Sequence, residues 1–64
     1  MIRINGKDFN VAGTSVAKYL KDNGYDEKRV AVEINEKIVP KGKYEETTFS
    51  DGDIIEVVSF VGGG

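Results

Sequence analysis

Apolar and polar residues alternate over the first eleven positions: Ile2 and Ile4 against Arg3 and Asn5, then Phe9 and Val11 against Asp8 and Asn10. Period two is the spacing of a half-buried strand, and Asn5-Gly6 between the two runs supplies the backbone freedom of a tight turn. The pattern predicts a β-hairpin. Beyond Gly13 the spacing becomes helical, with Val16, Tyr19 and Leu20 on one side and Lys18, Lys21 and Asp22 elsewhere. Thr14 or Ser15 can cap this helix through a side-chain oxygen. Neither is followed three residues later by Glu or Gln, so a reciprocal capping box is missing. Asn23-Gly24 closes the helix, since either residue tolerates the left-handed conformation found just past a C-terminus. Tyr19 and Tyr25, flanking the helix end, are expected at the edge of the core.

Alternation returns at Val30, Val32 and Ile34, a third strand, and Lys37-Ile38-Val39 offers a short fourth that Pro40 cuts off. Lys41 to Ser50 is polar and reads as a long connection with room for a helical turn, with Tyr44 and Phe49 anchoring it to the core. Its Glu45-Glu46 pair reads as solvated loop, because successive acids point apart. Asp51-Gly52-Asp53 is a tight turn; the other positions of a helix-loop-helix calcium site are absent. Ile54 to Val61 is a nearly continuous apolar run, as expected of a central strand. If its Ile55 and Val57 face the helix-covered core, then Ile54, Glu56, Val58 and Phe60 face the other side, which has no second helix. An open face of that kind next to the chain end is expected to dock a partner. The alternative is that Phe60 folds over the sheet edge and is buried. The order of elements predicts an α+β, β-grasp (ubiquitin-like) domain: a mixed four- to five-stranded sheet, first and last strands parallel at its middle, one main helix packed on one face.

Composition narrows the function. Sixty-four residues make one domain, near the size where a single core only just suffices. Residues 1–60 are assigned to that domain and 61–64, Val61-Gly62-Gly63-Gly64, to a flexible glycine tail. The chain has no histidine and no cysteine. That removes the commonest general base, metal ligand and strongest nucleophile, so catalysis is expected to come from partners; no metal site is predicted. A net charge of −2 from interspersed acids and bases offers no field for nucleic acid. No secretory pattern and no long apolar run occurs, so no membrane is expected and a cytoplasmic location is the default.

Several stretches together resemble one family: Ile4-Asn5-Gly6-Lys7, Val32-Glu33-Ile34-Asn35 followed by Ile38-Val39-Pro40, Asp51-Gly52-Asp53-Ile54-Ile55-Glu56, and the glycines after Phe60-Val61. They span nearly the whole chain in order. The chain is similar to ThiS, the ubiquitin-like sulfur-carrier family of thiamin biosynthesis; that family's pattern needs only Gly-Gly at the end, whereas this chain has three glycines. The resemblance implies that the Gly64 carboxylate is the reacting group. It would be adenylated by an ATP-using, ThiF-like activating enzyme, converted to a thiocarboxylate by a persulfide sulfur donor, and consumed by a ThiG-like thiazole synthase. The chain itself would then be a protein co-substrate with no cofactor bound, rather than an enzyme. Gly62 and Gly63 would thread the tail into a recessed site, four extended residues reaching about 13 Å, while Ile54, Val58, Phe60 and Val61 dock the partner. A carrier for molybdenum-cofactor synthesis, another ubiquitin-like modifier, or an interaction module with a disordered tail would share many of these features.

Overall fold

In a computed structural model of the protein, residues 1–60 are described. The hairpin forms as the alternation predicts: β1 (Ile2–Ile4) and β2 (Lys7–Phe9) pair antiparallel. Asn5 at φ 50° and Gly6 at φ 83° make the turn, a pair of positive φ values whose twist suits the two strands. Val11 lies beyond β2 and packs, partly buried, against the core.

The helix α1 (Val16–Asp22) starts at Ser15 rather than Thr14: the Ser15 hydroxyl accepts the Lys18 N–H at 3.1 Å. A helix leaves its first N–H groups without internal partners. Here the connection supplies them, as the Thr47 carbonyl accepts from Val16 and the Tyr44 carbonyl from Ala17, each at 2.9 Å. Gly24, at φ 76°, follows the C-terminal Asn23, whose amide donates to the Tyr19 carbonyl at 2.8 Å. Lys41–Lys43 forms the helical turn that the connection had room for. Glu27–Arg29 is a second 3₁₀ turn that no hydrophobic repeat announces; Asp26 caps it by accepting the Lys28 N–H.

With β3 (Val30–Ile34), β4 (Lys37–Ile38) and β5 (Ile54–Ser59), the sheet has the order β2-β1-β5-β3-β4. As expected, β1 and β5 are parallel at its middle, while β3 runs antiparallel to both β4 and β5. Besides β2, which stops before Val11, two more strands are shorter than expected. Val39 leaves β4 to bury its side chain, although its N–H still reaches the Val32 carbonyl at 2.9 Å. The last strand stops at Ser59, because its neighbour β3 begins only at Val30, the residue paired with Ser59. Beyond it the Phe60 N–H donates once more, to the Arg29 carbonyl at 2.7 Å.

One face of the sheet and the helix enclose the core. Ile2, Ile4, Val30, Val32, Ile55 and Val57 rise from the strands to meet Val16, Tyr19 and Leu20, and Tyr44 and Phe49 are buried as the anchors of the connection. The Tyr19 ring meets Phe9 and Phe49 edge-on, with centroids 6.4 and 5.6 Å apart, the arrangement that aromatic quadrupoles favour. Tyr25 packs at the margin.

Candidate partner-docking face

The register of β5 decides which of its side chains point away from the core, and two asparagines fix it. Asn5 Oδ1 accepts the Val57 N–H at 2.9 Å while its Nδ2 donates to the Val57 carbonyl at 3.1 Å. Across the strand, Asn35 Oδ1 accepts the Ile54 N–H at 2.9 Å and its Nδ2 donates to the Asp53 carboxylate at 3.0 Å. Both asparagines are left-handed, at φ 50° and 51°, a conformation their short polar side chains tolerate better than most. Each continues a neighbouring strand's bonding to β5 by one residue.

With Ile55 and Val57 buried, Ile54, Glu56 and Val58 stand on the outer face. Ile54 is 58% exposed, Val58 49% and Phe60 58%. Phe60 therefore does not fold over the edge into the core. Cross-strand pairing sets Arg3 beside Ile54, Ala31 beside Val58, and Glu33 beside both Glu56 and Ile38. Ile38 is the most exposed large apolar side chain described, at 73%. On the β1–β2 side an Arg3–Asp8 ion pair at 3.1 Å borders the face. A shallow depression of about 360 Å³, lined by Glu33, Asn35, Glu36, Ile54 and Glu56, lies on this face.

Among the described residues, three ionisable groups depart from their ordinary values. Burial, and secondarily the charge of neighbouring Tyr25, raises the Tyr19 hydroxyl; burial, and then Glu27, raises Tyr44. The N-terminal ammonium holds Asp51 low, first through a hydrogen bond and then through its charge. The outer face combines apolar side chains, Ile54, Val58 and Ile38, with the carboxylates of Glu33 and Glu56.

Among the sequence-predicted site residues, Ile54, Val58 and Phe60 are thus all exposed, but they are spread along the strand: Ile54 opens β5 and Phe60 follows its last residue, about 20 Å away at strand spacing. Val61, Gly62, Gly63 and Gly64 lie outside the described residues. Sequence reading did not single out Ile38 and Glu33 for this face. The alternation of Val30, Val32 and Ile34 already turned Glu33 outward, but Ile38 joins it only through the β3–β4 register.

The ThiS family's sequence profile matches residues 2–64. The chain belongs to the ThiS family. It is 38% identical to the sulfur carrier protein ThiS of Bacillus subtilis, with both chains covered completely. It is also 45% identical, over 62 residues and 95% of its length, to part of a thiazole synthase of Paramagnetospirillum magneticum. The chain spans only about a fifth of that protein and of a similar thiazole synthase from Magnetococcus marinus, 19% and 20% of their lengths. Among solved structures, the crystal structure of the thiamine biosynthesis protein (ThiS) from Geobacter metallireducens superposes with a TM-score of 0.75 at 31% identity, covering 98% of this chain and 97% of that one. Family membership and this likeness establish the β-grasp fold.

Proposed function

We propose that this chain is a sulfur carrier for thiamin biosynthesis, a co-substrate whose Gly64 carboxylate accepts sulfur from partner enzymes. The observation that carries the reading is the end-to-end match to the family, residues 2–64, together with full mutual coverage of the Bacillus subtilis sulfur carrier. The chemistry follows from the group itself. An α-carboxyl has a pKa of about 3.3 to 3.7, so at neutral pH it is an anion and a poor acyl electrophile. Activation consists of attack by a carboxylate oxygen on the α-phosphorus of ATP, with pyrophosphate leaving. The terminal sulfur of a donor persulfide then attacks the acyl carbon and AMP leaves, giving an acyl disulfide. Two thiols of a reductant cleave the S–S bond and leave joined as a disulfide, giving a thiocarboxylate on Gly64 and the donor as its thiol.

ATP is bound by the activating enzyme and the chain holds no cofactor of its own, in keeping with its lack of histidine and cysteine. Thiazole synthase is the recipient we favour, because two proteins of that name include a segment like this chain within a longer polypeptide. Ile54, Val58 and Phe60 form the shoulder against which partners seat the domain, Gly62 and Gly63 enter the partner's channel with Val61 at its mouth, and the cytoplasm is where these partners meet. No helix among the described residues is long and apolar enough to cross a membrane.

Intact mass spectrometry tests the proposal. Incubation with the adenylating enzyme of the same cell, ATP and a persulfide donor is expected to add the mass of one oxygen-to-sulfur exchange. Deleting all three glycines, Gly62, Gly63 and Gly64, is expected to abolish it. An unchanged mass for the full chain under these conditions would overturn the reading.

A further inference from the structure

The outer face carries charge as well as apolar area. Glu33 on β3 and Glu56 on β5 are direct cross-strand partners pointing away from the core, and Glu36 shares the depression they line. Like charges set directly opposite one another on a sheet destabilise it. The ion pairs among the described residues all involve other carboxylates, so none of these three is ion-paired. Around them stand Ile54, Val58 and Ile38, each about half exposed or more. A partner covering those apolar groups would exclude water and strengthen any charge interaction beneath it.

We infer that this face docks a protein surface bearing an arginine ringed by apolar side chains, its guanidinium seated between Glu33 and Glu56. A guanidinium is flat and carries five donors in a fixed fork, so one group can serve two separate carboxylates. A metal ion needs a tighter set, and no three acidic side chains among the described residues gather closely enough to hold one. A second copy is a poor occupant: a two-fold contact over this face would set each acid pair against its own image. Phosphate-rich partners are repelled for the same reason. The inference deepens the carrier reading, from which it takes its probe, the adenylating enzyme.

Calorimetric titration of that enzyme with the full chain, E33Q/E56Q and E27Q/E45Q at low and moderate salt tests it. Glu27 and Glu45 line the cavity on the helix side, so the second variant makes the same charge change away from the face. E33Q/E56Q is expected to fold at least as well as the parent, to bind at least tenfold more weakly and to show a flatter salt dependence, while E27Q/E45Q binds like the parent. Equal Kd values for all three proteins would overturn the inference; so would equal weakening of both variants, or no binding by the parent chain. If the parent binds and E33Q/E56Q alone is weakened, but no sulfur is gained, the docking surface stands and the carrier reading falls.

Discussion

Asn5 stands in for a strand residue. Its amide presents one acceptor and one donor to Val57 at 2.9 and 3.1 Å, as a peptide unit would, while its backbone turns the hairpin at φ 50°. Asn5→Ala removes both bonds and places a side chain in a conformation that disfavours it, so a stability loss of about 2–3 kcal/mol is expected. Asn5→Gly keeps the turn and loses only the bonds, and its urea midpoint should fall between the two. If alanine matches the parent midpoint, the clamp contributes nothing. The dipeptide Asn5-Gly6 announces a turn to anyone reading the sequence. Its hold on Val57 is invisible there, because a contact across 52 positions has no local signature. The outward direction of Val58 and Phe60, in contrast, follows from alternation alone once Ile55 and Val57 are assigned to the core.

The helix shows where element-level reading succeeds and where it stops. Val16, Tyr19 and Leu20 mark its buried side and Asn23-Gly24 its end, but Thr14 and Ser15 are chemically equivalent as caps until the structure places the Ser15 oxygen on the Lys18 N–H. Ser15→Ala is expected to destabilise by about 1 kcal/mol, with Ser15→Asp restoring most of it. Thr14→Ala should leave the helix start intact, because Thr14 contributes backbone groups, its N–H to the Val11 carbonyl and its carbonyl to the Phe49 N–H. Equal losses at 14 and 15 in thermal denaturation would contradict this assignment. The connection's second task, lending the Tyr44 and Thr47 carbonyls to the helix start, is unreadable in a polar stretch whose only evident anchors are Tyr44 and Phe49. The early stop of β5 has a similar origin, since a strand's length depends on where its neighbours end.

For the whole molecule, one core under one sheet face makes stability sensitive to whatever charges inside it. Burial holds Tyr19 and Tyr44 neutral with pKa values raised above 10. As pH climbs past that ordinary value, the unfolded chain releases these protons first, the folded state holds more of them, and stability falls. Urea midpoints should therefore be steady below about pH 10 and drop above it, with Tyr44→Phe shallower than the parent. Midpoints that stay level through the alkaline range would contradict the burial of both hydroxyls. Asp51 behaves oppositely: its lowered pKa gives a contribution present above the ordinary carboxylate range and lost as pH falls through the lowered value, small because the pair is exposed. The overall architecture was readable because five elements alternate or repeat with clear periods and Asn or Gly marks several of the turns. Which strand sits in the middle has a mechanical consequence. Phe60 leads directly out of β5, which is bonded along one side to β1 and along the other to β3. A partner that grips the residues beyond Phe60 and draws on them loads both ladders lengthwise, so their hydrogen bonds share the pull in shear instead of opening one at a time. A pull on that end therefore runs along the central strand and its ladders rather than across them.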